Sequence, residues 1–336
     1  MERRVSLKDI AQKVGVSIAL VSYVLNNQKE GRINKDVAQR IRDIAKELNY
    51  RTNQIAKSLK TNKTFTIGLI VADISNPFFS GLARMIEDEA DKHNYTVIFG
   101  SSDENVEKFE KLINVFSNRQ VDGLIISPPD GTEAQLTALL KQRIPFVLID
   151  RYYPDLPVSY VALDNFVSAY QATEYILRSG CKNPCMVTYH SSLFNLKERT
   201  RGFKAALEHN GILFKKRMLK EINLGTEKTE IEVAVHDVVS MKNPADAILF
   251  GSNSIADCGV RYINTLPVKV PQDLSIITFD EPVALDLFYA PITYIKQPLP
   301  EMGKQAINVL LENINKINKF MQLNLKGELI VRASTK

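Results

Sequence analysis

Apolar positions in the first fifty residues recur at helical spacing in short segments. The first segment is preceded by Ser6, with Asp9 three residues later, which is the spacing of an acidic capping box. Gly15 ends it, at a point where the backbone can turn through positive φ without a Cβ penalty. The apolar face of this predicted helix comprises Leu7, Ile10, Ala11 and Val14. The pattern predicts a short amphipathic helix that ends in a tight turn.

Two further helices are predicted directly after this turn. Ser17 is placed to cap the second helix and Asn34 the third. The inward positions are Leu20, Val21 and Val24 on the second helix, and Val37, Ile41, Ile44 and Leu48 on the third. Small side chains at Ala11 and Val21 let the first two helices cross closely, as in a helix-turn-helix. The unit is predicted to be a DNA-reading head.

From Phe65 onward the pattern changes to apolar strands that alternate with amphipathic helices. The run from Phe65 to Val71 is almost continuously apolar, which is typical of a strand covered on both faces. A first series of strands and helices extends to about residue 163 and a second to about residue 291. Such alternation predicts right-handed βαβ units and parallel sheets. Two α/β lobes of similar size are the plan of a hinged binding protein.

The predicted domain boundaries follow from these changes of pattern. Residues 1–50 form the all-α head, 51–63 a hinge helix and linker, and 64–336 an α/β core. Within the core, the N-lobe is predicted at about 64–163 and 294–320, and the C-lobe at about 164–291 and 321–336. The hinge helix spans only about two turns, so it needs a partner to become ordered.

Charge is distributed unevenly between head and core. Residues 1–63 hold 14 Lys and Arg against 6 Asp and Glu, a balance of +8, whereas the other 273 residues hold 29 against 32, a balance of −3. A basic module joined to a mildly acidic body is typical of a protein that binds a polyanion. The competing interpretation is an ordinary solvated surface, but the positive excess coincides with the helix-turn-helix.

Several protein classes are disfavoured. No run approaches the ~20 apolar residues of a membrane span, and the N-terminus lacks the apolar region of a secretory signal, so we expect a cytoplasmic protein with no membrane partner. The three cysteines and four histidines are scattered, which predicts neither metal nor cofactor. No dinucleotide-binding, P-loop, nucleophile-elbow or zinc-protease motif is present, so we expect no enzyme activity. The alternative is a sugar-binding α/β protein or enzyme without DNA-directed regulation.

The chain resembles the LacI/GalR family of bacterial transcription regulators over nearly its full length. In the head the matching motifs are Leu7-Lys-Asp-Ile-Ala, Gly15-Val-Ser, Val21-Ser, Val24-Leu-Asn26 and Ile55-Ala-Lys-Ser-Leu59. In the core they are Ile67-Gly-Leu-Ile-Val, Ile74-Ser-Asn-Pro-Phe-Phe79, Val121-Asp-Gly-Leu-Ile125, Leu148-Ile-Asp-Arg151, Arg199-Thr-Arg-Gly-Phe203, Val270-Pro-Gln-Asp-Leu-Ser275, Phe279-Asp280, Ile295-Lys-Gln-Pro298 and Val331-Arg-Ala-Ser-Thr335. The resemblance implies a periplasmic-binding-protein-like core that takes a small effector, and a homodimer or tetramer with paired heads on a near-palindromic operator of double-stranded DNA.

The DNA-binding residues are predicted from the helix-turn-helix and from the resemblance. They are Leu7, Ser17, Ile18, Ala19, Ser22, Tyr23, Asn26, Arg51, Asn53, Ala56, Lys57 and Leu59. By resemblance, Leu59 is a wedge inserted from the minor groove; the alternative is that it packs the hinge helix on its dimer mate. Family members usually carry Arg where this chain has Tyr23, so the resemblance does not predict the operator sequence. Ile18 and Tyr23 could instead pack on the third helix.

The effector-binding residues are predicted where strands end, because ligands of open α/β sheets bind beyond the carboxyl ends of the strands. The set, most of it carried over from the family, is Asn76, Phe78, Phe79, Asp150, Arg199, Asn253, Asp280 and Gln297. Acids, amides and an arginine around aromatic rings suit a polyhydroxylated ligand. A sugar is therefore the first choice and a nucleobase or nucleoside the second. For each residue, a helix cap or a hydrogen bond between the lobes is a competing interpretation.

Overall fold

A computed structural model describes residues 5–26, 32–50, 63–224, 227–315 and 320–336. The chain divides into two compact units, Met1–Thr64 and Phe65–Lys336. Within the described residues, no helix is both long enough and apolar enough to cross a membrane.

The head contains helices α1 (Leu7–Val14), α2 (Ile18–Leu25) and α3 (Lys35–Glu47). The predicted capping box is present, because the Ser6 amide donates to Asp9 Oδ2 at 2.8 Å and the Asp9 amide donates to Ser6 Oγ. Gly15 has φ 79°, and its amide donates to the Ala11 carbonyl. The three helices enclose a small apolar core of Ile10, Ala11, Val14, Val21, Val24, Ile41 and Ala45.

The core consists of strands and helices that alternate along the chain. Its first part comprises β1 (Thr66–Val71), α4 (Pro77–Lys92), β2 (Thr96–Ser101), α5 (Val106–Asn118), β3 (Gly123–Ile126), α6 (Glu133–Gln142), β4 (Phe146–Ile149) and β5 (Tyr160–Leu163). Its second part comprises α7 (Asn165–Arg178), β6 (Pro184–Tyr189), α8 (Phe194–His209), β7 (Leu219–Ile222), α9 (Glu227–Ser240), β8 (Ala247–Phe250), α10 (Asn253–Ile263), β9 (Ser275–Phe279) and β10 (Thr293–Lys296). Helix α11 (Leu299–Ile314) and strands β11 (Gln322–Leu325) and β12 (Glu328–Ile330) follow.

These strands form two six-stranded sheets, one in each lobe. The N-lobe sheet has the order β11-β5-β4-β3-β1-β2 and is parallel throughout. The C-lobe sheet has the order β12-β10-β9-β8-β6-β7 and is parallel except for the antiparallel pair β10–β12. Helices cover both faces of each sheet, which explains why β1, β3, β8 and β9 are almost wholly buried.

The predicted lobe boundaries near the end of the chain are wrong in two places. The sequence pattern predicts that the N-lobe resumes at about residue 294, but strand β10 pairs with β9 in the C-lobe sheet. It also predicts residues 321–336 in the C-lobe, but β11 pairs with β5 in the N-lobe sheet. Strand β11 lies at an edge and its burial alternates, so it lacks the continuous apolar run that marks the inner strands. The chain therefore crosses between lobes three times, after β5, β10 and β11.

Candidate functional site

Helix α2 carries the predicted base-reading residues of the head. The Ser17 hydroxyl caps the helix by accepting from the Leu20 amide at 3.2 Å. Beside it, Ala19 is exposed and Ile18 is 48% exposed, while Ser22 and Tyr23 are half-buried. Asn26 turns its amide back onto the helix and donates to the Ser22 carbonyl at 2.8 Å. The first turn of α2 thus presents a mainly apolar outer face.

Among the other predicted DNA-binding residues, the structure describes Leu7 but not those of the hinge. Leu7 is half-buried and packs on the apolar core of the head. The predicted hinge residues Arg51, Asn53, Ala56, Lys57 and Leu59 lie outside the described residues, and their roles stay predictions.

A cavity of about 340 Å³ lies between the two lobes of the core. All eight predicted effector-binding residues line it: Asn76, Phe78, Phe79, Asp150, Arg199, Asn253, Asp280 and Gln297. Asp150 directly follows β4, Asp280 follows β9 and Gln297 follows β10. The carboxyl ends of strands from both sheets therefore converge on one space, and a ligand held there contacts both lobes.

Arg199 is the central cation of this cavity and is only 3% exposed. Its Nε donates to Asn165 Oδ1 and its Nη1 to the Gly251 carbonyl, both at 2.7 Å. The guanidinium lies 3.8 Å from the centre of the Phe279 ring. Burial lowers the pKa of Arg199, while the nearby carboxylates Asp280 and Asp150 act in the opposite direction. The side chain is thus held rigidly, as a donor fork suited to hydroxyl or carbonyl oxygens.

Two carboxyl groups flank Arg199, and burial perturbs both. Burial raises the pKa of Asp150 to about 6, although Arg151 and Arg199 oppose the shift. Burial also raises the pKa of Asp280, against the attraction of Arg199 and a hydrogen bond from Gln297 Nε2 to Asp280 Oδ1 at 2.7 Å. Both aspartates have positive φ, 65° and 66°. Such perturbed, strained acids are concentrated at functional sites.

The second arginine of the cavity is already paired. Arg151 donates through Nη2 and Nη1 to the two carboxylate oxygens of Glu104, at 2.6 and 2.7 Å. Its guanidinium also lies 5.6 Å from the centre of the Phe79 ring. A bidentate pair of this kind largely neutralises both charges. Arg151 Nε also lies 3.7 Å from Asp150 Oδ2. Four acids, Asp73, Glu104, Asp150 and Asp280, line the cavity against the two arginines Arg151 and Arg199.

Hydrogen bonds join the lobes at two places. Asn76 and Asn253 exchange amide hydrogen bonds, at 3.2 and 2.7 Å. Elsewhere Asp130 accepts from the hydroxyls of Ser191 and Ser192 and from the Ser192 amide. These bonds hold the two lobes together. For Asn76 and Asn253, the competing interpretation of a hydrogen bond between the lobes is therefore observed.

Comparison with known proteins identifies the family. A family profile described as periplasmic binding proteins and sugar binding domain of LacI family matches residues 64–324. A second profile, for bacterial regulatory proteins of the lacI family, matches residues 6–53. The chain belongs to the LacI family. It is a DNA-binding transcriptional regulator.

Curated relatives of this LacI-family regulator match it end to end. The transcriptional regulator DegA of Bacillus subtilis is 29% identical, with 99% of this chain and 98% of the relative covered. RegA of Clostridium saccharobutylicum is 30% identical over 98% of this chain and 99% of its own length. The ribose operon repressor of Halalkalibacterium halodurans is 28% identical over 98% and 97%. All three relatives are named as transcriptional regulators or repressors.

Solved structures show the same architecture for this LacI-family regulator. A lac repressor dimer bound to operator and the anti-inducer ONPF matches with a TM-score of 0.85 over 99% of each chain, at 20% identity. A LacI-family regulator from Enterococcus faecium with bound ribose matches with a TM-score of 0.69 and 27% identity, over 80% of this chain and 98% of the other. The predicted fold class, a helix-turn-helix head on a two-lobed parallel core, is confirmed.

Sequence reasoning missed several residues that shape the cavity of this LacI-family regulator. Glu104, the partner of Arg151, follows β2, and Asn195 lies in the first turn of α8 after β6. The rule that ligand groups follow strand ends could have found both. Two acceptor atoms of cavity residues, Asn195 Oδ1 and Gln297 Oε1, are buried with no hydrogen-bond partner in the described structure. Each is a candidate to accept from a donor that a ligand brings.

Proposed function

We propose that this LacI-family regulator is a repressor whose operator affinity is controlled by a small, uncharged, polyhydroxylated effector, a sugar or sugar derivative. The effector binds in the cavity between the lobes, and the protein acts in the bacterial cytoplasm, where the chromosome lies. The carrying observation is the convergence of Asp150, Asp280 and Arg199 on one closed space.

The chemistry of the cavity supports a hydroxylated ligand. Carboxylates accept hydrogen bonds from hydroxyl groups, and the Arg199 fork donates to their oxygens. Phe78 and Phe79, buried with ring centres 5.0 Å apart in a T-shaped pair, offer an apolar wall. The excess of acids over arginines in the cavity lining disfavours an anion such as a sugar phosphate. The ribose named for two of the compared proteins also supports a sugar.

Effector control follows from a population shift. A ligand that touches both lobes favours the closed arrangement held by the Asn76–Asn253 and Asp130 contacts, and so changes the balance between states with different operator affinity. We propose a homodimer with paired heads on a near-palindromic operator, since two-fold protein symmetry matches two-fold operator symmetry. The lac repressor structure with this fold is such a dimer on operator.

The decisive experiment combines DNA and ligand binding on the full chain. A duplex enriched from a random pool is titrated at several salt concentrations, and unprocessed sugars, sugar phosphates and nucleosides are screened by thermal shift. A ligand at 100 times its Kd adds about 2.7 kcal/mol to the free energy of unfolding. We expect a neutral sugar to raise the Tm and change operator affinity at least severalfold.

A matched pair of variants localises the effect. Asp280→Asn changes a carboxylate that lines the cavity, whereas Asp155→Asn changes an exposed one. The ligand-induced shift is expected to disappear in the first variant only. A shift that survives in Asp280→Asn, a preference for nucleosides, or turnover of the bound sugar would each contradict the proposal in a different way.

A further inference from the structure

The base-reading surface of α2 is apolar where it is most exposed. Ile18 is 48% exposed and, among the described head residues 5–26 and 32–50, is the most exposed large apolar side chain. Its neighbour Ala19 is also exposed, whereas Val21 and Val24 on the inner face are buried. A single exposed apolar side chain is ordinary on a protein surface. This one, however, lies in the first turn of α2, and the second helix of a helix-turn-helix is the one that enters the major groove.

Helix α2 offers few polar groups for reading bases. Its sequence from Ile18 to Leu25 contains no Lys, Arg, Asp, Glu, Asn or Gln, so its polar side chains are the hydroxyls of Ser22 and Tyr23. The amide of Asn26, beyond the end of the helix, donates to the Ser22 carbonyl. Bidentate recognition of guanine by Arg or of adenine by Asn or Gln is therefore not supplied by α2 itself. The base-edge feature that suits an apolar side chain is the C5-methyl group of thymine.

We propose that Ile18, with Ala19 beside it, reads thymine methyl groups in the major groove and so makes each operator half-site specific for thymine at one or two positions. This inference rests on the proposed operator binding. The basic excess of residues 1–63 supplies phosphate contacts, which give affinity without sequence information. The apolar contact adds sequence discrimination, because Ile18 buries apolar surface only against a base that carries a C5-methyl group.

The experiment removes only the methyl groups. The full chain selects a duplex from a random pool, and each thymine of one half-site is then replaced singly by uracil, which lacks the C5-methyl group. We expect binding about fourfold weaker at the contacted positions, the effect of one group of methylene size. Uracil outside the half-sites serves as the internal control. In Ile18→Ala, uracil is expected to cause no further loss of binding at the position that Ile18 contacts. Thermal unfolding shows whether the head keeps its fold.

The outcomes separate this inference from the regulator function. Salt-dependent, sequence-specific binding that is unaffected by uracil, or a uracil penalty that is unchanged in Ile18→Ala, overturns thymine-methyl reading and leaves the regulator function standing. Enriched half-sites that contain no thymine overturn it as well. If no sequence is enriched over the starting pool, the proposed operator binding fails and this inference fails with it.

Discussion

The cavity between the lobes and the outer face of α2 are built in opposite ways. In the cavity, charged side chains are buried and bound to other groups of the chain, as Arg199 is to Asn165 and Gly251. On α2, apolar Ile18 and Ala19 are exposed to solvent. The cavity has therefore lost much of its solvation before a ligand arrives, whereas α2 loses solvation only on binding DNA.

This difference predicts how substitutions act in the two places. A change in the cavity disturbs groups that stabilise one another, so it alters both the free energy of unfolding and effector binding. A change on the face of α2 removes contacts that exist only in the complex, so it alters DNA binding and leaves folding nearly unchanged. Each variant below tests that rule.

The largest effect is expected from Arg199→Met. It removes the cation beside Asp150 and Asp280 and leaves the Asn165 and Gly251 acceptors without their donor. Breaking a buried charge network typically costs about 3–5 kcal/mol, so we expect a loss of this size in denaturant unfolding together with loss of the effector-induced shift in Tm.

The control for Arg199→Met lies on the same helix. Arg201 is exposed, pairs with Glu198 and stacks on Phe166, and Arg201→Met is expected to cost less than about 1 kcal/mol, as is usual for exposed ion pairs. If the two variants were equally stable, Arg199 would not be the organising cation of the cavity.

Asp150→Asn is expected to have the opposite effect on stability at neutral pH. Burial raises the pKa of Asp150 from 3.8 to about 6, so the folded state binds a proton more readily than the unfolded state between these values. The contribution of Asp150 to stability is thus greatest below pH 4 and falls as pH rises to about 6. We expect Asp150→Asn to be more stable than wild type by about 1–3 kcal/mol at pH 7 and to lose this advantage near pH 4.

Denaturant unfolding at several pH values measures this difference, and effector binding should be lost in the same variant. Asp155→Asn, at an exposed carboxylate, is the control. A gain in stability that stays constant from pH 4 to pH 7 would mean that the pKa of Asp150 is not raised and that the stabilisation has another origin.

A smaller effect is expected from Asp130→Asn, which weakens the contact between the lobes. Burial alone would raise the pKa of Asp130, but hydrogen bonds from Ser192 and Ser191 outweigh it and the pKa is lowered. Its contribution is therefore present above the unfolded value of 3.8 and is lost as pH falls through the lowered folded pKa.

We expect Asp130→Asn to weaken effector binding about tenfold in calorimetry, since hydrogen bonds to a charged group are worth about 1.5–3 kcal/mol. Asp237→Asn is the control, because Asp237 forms a half-exposed pair with Lys220 within the C-lobe. Unchanged effector affinity in Asp130→Asn would show that this contact does not help hold the lobes closed.

The two regions also differ in what the sequence could predict. The helices of the head were predictable from local sequence signals. The cap formed by Ser6 and Asp9, the turn at Gly15 and the buried Val21 each depend on residues a few positions apart. In the cavity, Asp150 and Asp280 were predictable because each directly follows a buried strand. Pairs such as Arg151 with Glu104, 47 residues apart, depend on how strand ends and lobes meet, and no local pattern reports that.

Tyr23 gives the smallest expected effect and the sharpest test of the α2 face. Its side chain is half-buried, and it can offer a base one hydroxyl group and a ring. We expect Tyr23→Ala to weaken binding to the selected operator about fivefold, the value of one modest hydrogen bond, with nonspecific duplex binding and thermal unfolding nearly unchanged. Tyr23→Phe separates the hydroxyl from the ring. Fluorescence anisotropy on operator and scrambled duplexes measures both, and equal losses on the two duplexes would show that Tyr23 packs the head instead of reading a base.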